Sequence, residues 1–493
     1  MRKLSVIPIA VMVVAALLLA ACGGATPTPA PEQPAAEAPQ AEQPAAPTPT
    51  EEPAAQAEPT EAPAAEEAPA GERVQIRWFV GLGTGGNPEQ VEAQNAVVKQ
   101  FNESQDEIEL VLEIVQNDVA YDTLSTQIAS GNAPDIVGPV GIRGANSFNG
   151  RWLDLEPLVE STGYDLSQFP KEMVDFWRTD EGLVGLPFGV FPALIFYNKA
   201  LFDEAGLPYP PQEFGADYDG KPWDVNTVAE IAKILTVDAN GNDATSPDFD
   251  PENIVQFGFE EQWSEPQRFA TMFGAGSVVD ENGNAQIPEQ WREAFRWYYD
   301  AVWNQHFIPN DKYRGSDLLA AGNPFDSGNV AMAHTHLWYT CCLTGVGEDW
   351  DIAVVPAYNG KYTAALHADV FRILNTTEHP EEAFKVLTYL IGEAAPQLLE
   401  VYGAMPARTD LQDDFFARLD EKYPQGVNWQ VAVDSLAYPD VPSHEQDMPN
   451  FLKAQDRFGA FWSALNTTPD LDVDAEVDKL QSDLQTIFQE QGN

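Results

Sequence analysis

Basic residues are scarce in this sequence. Only 26 of its 493 residues are Lys or Arg, against 77 Asp or Glu, and the formal charge is −51. Arg2 and Lys3 contribute +2 and ten glutamates before Arg73 contribute −10, which leaves −43 on residues 73–493. A chain so poor in cations does not suit nucleic acid, anionic headgroups or strongly anionic solutes as partners. Cysteine is almost missing as well: Cys22, Cys341 and Cys342 are all there is. That count excludes an ordinary disulfide framework, and no Cys/His spacing of the zinc type occurs. No metal and no cofactor is therefore expected.

Long apolar runs are few too, and one stands near the start. Val6 to Ala21 follows Arg2 and Lys3 and is too short to favour a membrane-spanning helix, but it suits a signal segment. It closes on Leu19-Ala20-Ala21-Cys22, which resembles the bacterial lipobox, the site of diacylglycerol attachment and cleavage before the cysteine. The resemblance implies a signal peptide over 1–21 and lipidation at Cys22. Residues 25–72 then lack Lys, Arg and aromatics altogether and consist of Ala, Pro, Glu, Gln and Thr with a single Gly. Such a segment cannot bury enough apolar surface to offset its ordering entropy. At about 3 Å per residue its prolines give a reach on the order of 100 Å. Residues 22–72 read as a lipidated cysteine and a tether.

What remains is long enough for two lobes. Val74, Ile76, Trp78 and Val80 alternate as a strand, and Gly81 to Gly86 form a tight turn. Asn87, Pro88 and Gln90 mark a helix start, with Val91, Val97, Val98 and Phe101 as its apolar face. Ile108 to Ile114 alternate again, a helix is expected over 121–130 with Gly131 as its stop, and Asp135-Ile136-Val137 opens a third strand. Strand, helix, strand, helix, strand predicts an α/β fold with a parallel sheet. Ligands of such sheets sit beyond the carboxyl ends of the strands, here Gly81 to Gly86, Gln116 to Asp118 and Gly138 to Gly141. The glycine loop is not read as nucleotide-binding, because Ile114-Val115-Gln116 places no acid at the ribose position. Asp238 to Asp243 departs from a calcium loop in its glycine position and lacks a closing Glu. A strand over 255–259, helices over 288–306 and from Pro380, and a turn at 280–284 complete the reading.

Several later segments, in order, resemble the family 1 extracellular solute-binding proteins, the sugar-type receptors of ABC importers. They are Ala129 to Val137, Gly185-Leu186-Pro187, Ile195 to Lys199, Leu201 to Pro208, Phe325 to Met332 and Met405 to Arg408. Gly189 and Leu194 depart from the central signature, which bears on close subfamily transfer. The resemblance implies a two-lobed periplasmic-binding-protein-like (type II) fold with hinge-crossing strands and a ligand cleft between the lobes. The lobes would be 73–187 with 371–405, and 188–366 with 408–493. It also implies a monomeric, non-enzymatic, extracytoplasmic receptor, held to the cell membrane through its lipid alone, that delivers a solute to ABC permease subunits.

Sugar rings call for aromatic plates and hydrogen-bonding rims. Twelve tryptophans give ample material. By resemblance, His336, Trp338 and Tyr339 enter the cleft, as do Glu261 and Trp263 in the loop 260–263, and Trp462. Gly83, Thr84 and Asp118 join from the strand ends, and His367 and Asp369 from a hinge crossing. A neutral mono- or oligosaccharide is the expected solute. Cys341-Cys342 is a candidate vicinal disulfide in an oxidising compartment, or else two small buried thiols. Two other functions compete: a surface-anchored polysaccharide-degrading enzyme and a receptor feeding a sensor kinase. The enzyme needs paired carboxylates across a cleft, and the sequence has no nucleophile elbow or catalytic metal motif.

Overall fold

The computed structural model describes residues 73–179 and 181–490. The expected signal segment, Cys22 and the tether lie outside the described residues, as does the side chain of Asp118.

Strand β1 (Val74–Val80), helix α1 (Pro88–Ser104), β2 (Ile108–Ile114), α2 (Asn117–Ser130) and β3 (Ile136–Val140) follow one another as the alternation predicts. Both β2 and β3 pair with β1 in parallel. Gly81 is indispensable at the first turn: its φ is 144° and a Cβ there would lie 2.1 Å from the Val115 carbonyl oxygen. Gln90 closes the start of α1, its Oε1 accepting from the Asn87 and Gly85 amides at 3.3 and 3.0 Å. Two local expectations change. Helix α2 begins at Asn117, four residues ahead of Tyr121, and its first turn is held by Asn117 Nδ2 donating to the Gly81 carbonyl at 3.0 Å. Gly138 belongs to β3 and only Gly141 remains at its end, opening α3 (Ile142–Ser147). On α1 the inward face is Gln90, Ala93, Gln94, Val97 and Phe101, while Val91 and Val98 are only partly buried.

The two-lobed architecture depends on β4 (Leu186–Asn198), whose thirteen residues are all buried. A strand covered on both faces reads as a continuous apolar run, which is why no alternation marks it. Three short strands follow along the chain: β5 (Glu260–Glu261), β6 (Met332–His336) and β7 (Trp350–Ala353). Then come β8 (Leu366–Ile373) and β9 (Met405–Pro406). The nine strands form one sheet in the order β5-β6-β4-β8-β3-β1-β2, with β7 and β9 also pairing to β4. The first half of β4 pairs with β8, and β8 joins it to the parallel strands through β3. The second half pairs with β6 and β7. At the changeover His336 stands opposite Ala193, Leu366 opposite Pro192 and His367 opposite Phe191. The end of β6 and the start of β8 therefore meet at the waist of the molecule.

The expected strand over 255–259 is broken. Ile254–Gln256 pairs in a small separate ribbon, and Glu260–Glu261 forms β5 beside β6. The chain must turn between them to bring Gly258 against the Ala232 backbone, an approach that a Cβ at 1.9 Å would forbid. Helices α4 (Pro266–Thr271), α5 (Glu289–Trp303), α6 (Pro380–Leu390), α7 (Phe451–Thr467) and α8 (Val473–Gln489) pack around the sheet. In α6 the inward residues Ala383, Phe384, Leu387 and Leu390 keep their helical spacing. The 238–243 segment is a self-capped turn. One Asp238 oxygen accepts from the Asn240 and Asn242 amides, and the other accepts from Asp250 N and Asn242 Nδ2.

Candidate functional site

Trp263 follows β5 with φ 51°, in the left-handed region that bulky residues rarely enter. It is nonetheless 45 % exposed. Its indole nitrogen donates to the Gly322 carbonyl at 2.8 Å, which fixes the ring. That ring lies parallel to Trp338, 5.9 Å between centroids and 4° between planes. Trp338 in turn stacks on His336 at 6.0 Å and 14°. Tyr339 meets Trp263 edge-on at 5.3 Å and donates its hydroxyl to Asn323 Oδ1 at 2.5 Å. Backbone strain of about 1–3 kcal/mol at Trp263 persists only because these contacts over-determine it. The tight 337–342 turn is seated against Gly403, where a Cβ would lie 2.7 Å from Thr340 Oγ1 and 3.2 Å from the Trp338 carbonyl oxygen.

Behind the ladder lies a buried ionic group. Arg268 Nη2 donates to Glu261 Oε1 at 2.9 Å and to the Gln262 carbonyl at 3.0 Å. His334 Nδ1 is 2.7 Å from the other Glu261 oxygen. Arg268 Nη1 contacts His336 Nδ1 at 2.7 Å. A guanidinium only donates, so His336 Nδ1 accepts. Burial, then the adjacent His367, Arg268 and His444, hold the His336 pKa well below its usual value, so the ring is neutral. Its one proton sits on Nε2, which is buried and has no acceptor within the protein. An unpaired donor of this kind costs about 1–3 kcal/mol until an oxygen meets it.

Next to His336 lies His367, edge-on at 4.2 Å, and His444 is 4.8 Å beyond. Glu445 is 3.4 Å from His367 Nδ1. Burial alone would raise the Glu445 pKa, but His367, His444 and Arg143 hold it down to about 2. Burial and then the Glu445 charge push Asp369 up to about 7. Helix α3 closes over this group from the parallel half of the sheet. Its Arg143 pairs with Glu265 at 2.7 Å, and Asn146 Nδ2 donates to the Glu445 carbonyl at 3.0 Å.

Of the residues named from sequence, Trp263, Trp338, His336, His367 and Asp369 come together here. Glu261 departs from the sequence expectation: its side chain is fully enclosed, with one oxygen on Arg268 and the other on His334. Tyr339 is fully buried and braces the ladder from behind. Trp462 lies on α7 against Tyr298 at 4.3 Å and Phe269 at 6.0 Å. Thr84 is half-buried, its hydroxyl accepting from Gln90 Nε2 at 2.8 Å, while a Cβ on exposed Gly83 would meet nothing within 4 Å. Arg268, His444 and Glu445 escaped the sequence reading.

Cys341 and Cys342 are joined as a disulfide three residues after Trp338. Reduction in denaturant is expected to raise the intact mass by two hydrogens; an unchanged mass would show free thiols.

The family model for bacterial extracellular solute-binding proteins matches residues 86–395. The chain belongs to that family. This solute-binding protein is 26% identical over 365 residues to an arabinooligosaccharide-binding protein of Halalkalibacterium halodurans, spanning 69% of this chain and 74% of the relative. Its fold is similar to the ABC substrate-binding protein Lmo0181 from Listeria monocytogenes in complex with cycloalternan. There the TM-score is 0.67 at 20% identity, covering 85% of this chain and 100% of the other. Maltose-bound MalE3 of T. maritima gives 0.63 at 17%, covering 84% and 100%. Among the described residues of this solute-binding protein no helix is long and apolar enough to cross a membrane.

Proposed function

We propose that this solute-binding protein is the capturing subunit of an ABC importer and closes its two lobes on a neutral oligosaccharide. The ladder Trp263–Trp338–His336 carries the reading: an exposed aromatic plate, held in strained backbone, ends on a buried N–H donor. Plates suit the apolar faces of sugar rings, and the unpaired donor suits a hydroxyl or ring oxygen. The arabinooligosaccharide-binding relative supports the same substrate class. Lobes of 73–187 with 371–405 and 188–366 with 408–493 would move about the β4 changeover, and solute would favour the closed form by its differential affinity. Cys22 would carry the lipid and 22–72 the tether, keeping a monomeric receptor beside its permease.

A thermal-shift screen over arabino- and malto-oligosaccharides, monosaccharides, polyols, amino acids and polyamines tests the substrate class. An oligosaccharide is expected to raise the melting temperature saturably. Stabilisation by a polyamine alone would sink the sugar assignment.

A further inference from the structure

We infer that His367, His444 and Glu445 form a binding site for one divalent transition-metal ion of the zinc class at the waist of the molecule. Each offers a donor atom, and the three atoms lie within 4.8 Å of one another. The two imidazoles face each other, with His367 Nε2 and His444 Nε2 only 3.3 Å apart. Two nitrogens bound tetrahedrally at 2.0–2.1 Å would stand roughly 3.3 Å apart. The His444 ring is already oriented for the task. Its Nδ1 donates to Asp440 Oδ2 at 2.7 Å, which leaves Nε2 as the nitrogen that faces His367. Asp440 is itself fixed, accepting from the Leu366 amide at 2.8 Å and the His444 amide at 2.7 Å. A carboxylate holding the far nitrogen of a ligating histidine is the usual outer shell of such sites. Glu445 supplies the negative charge, its buried Oε2 lying 3.4 Å from His367 Nδ1.

Two imidazoles and one carboxylate select zinc, cobalt or nickel over magnesium or calcium. Three protein donors leave a fourth position for water or a solute oxygen. His336 takes no part, because Arg268 occupies its Nδ1 and its Nε2 keeps a proton. The ion would link the start of β8 to the 440–445 segment, which α3 touches through Asn146.

The test is calorimetric titration of the chelator-stripped, sugar-free full chain with Zn2+, with Co2+ visible absorption as the second readout. One equivalent is expected, with the strong visible bands of four-coordinate cobalt. His444→Gln and Glu445→Gln should each weaken binding at least tenfold, and Asp440→Asn by about 10–100-fold. His306→Gln, outside the site, should change nothing. Circular dichroism checks folding, and the isosteric Glu445→Gln decides the matter should His444→Gln not fold. No saturable equivalent, equal affinity for Mg2+, or unchanged binding in Glu445→Gln would each overturn the site. Because the titration contains no sugar, its outcome is independent of the oligosaccharide assignment.

Discussion

Replacing Glu261 by Ala is expected to lower the unfolding free energy by about 3–5 kcal/mol. The carboxylate is enclosed and accepts from both Arg268 and His334, so its removal strands a guanidinium that is itself 3 % exposed. A buried charge without its partner is among the costliest single changes a protein can suffer, and the loss should appear as a fall in melting temperature of roughly 3–6 °C. Calorimetry or denaturant unfolding checks it. Removing both charges together, as Glu261→Met with Arg268→Met, should recover most of that stability, because an apolar pair of similar volume replaces a desolvated ion pair. The double variant should still bind solute more weakly, since His336 loses the donor that directs its proton to Nε2. A Glu261→Ala protein within about 1 kcal/mol of the parent would mean that the pair carries no buried charge.

The second large effect concerns affinity. Trp338→Ala should weaken the solute found in the screen by about 2 kcal/mol, or roughly thirty-fold in Kd. Trp338 is the middle plate: its loss removes one stacking surface and leaves Trp263 unsupported in a strained conformation. Trp462→Ala is the informative contrast. That ring packs on Tyr298 and Phe269 at the helical layer, so the variant should lose stability while keeping affinity. Isothermal titration of both variants separates the two roles. Undiminished affinity in Trp338→Ala would remove the aromatic ladder from the binding surface.

Local pattern made the first five elements legible, because each rests on short-range physics. Alternation gives β1 and β2, Asn87 with Pro88 and Gln90 starts α1, and Gly131 stops α2 in a left-handed turn with φ 72°. Parallel pairing followed from the strand–helix order. The waist was not legible. Leu186 to Asn198 reads as an apolar run whatever it pairs with, and only the fold shows that one strand serves two sets of partners. The site divided along the same line. Trp263 and Trp338 were visible as aromatic material in suggestive segments, yet their parallel stacking needs the Trp263 backbone and the Gly322 carbonyl.

Glu261 shows the limit most plainly. Its sequence neighbourhood resembles a loop reaching for solute, whereas β5 pairs beside β6 and turns that side chain onto Arg268. The histidine cluster at the waist was hidden for a related reason: His367 and His444 are 77 residues apart and no spacing motif joins them. The sequence by itself determined the acidic character, the parallel α/β beginning, the family and the supply of aromatic plates. Those properties rest on composition and near-neighbour order. Tertiary structure alone decided which acids are buried, which histidine nitrogen is free, and which side chains meet at the waist. Such properties depend on contacts between residues far apart in the chain, where burial and partner set each group's charge and role.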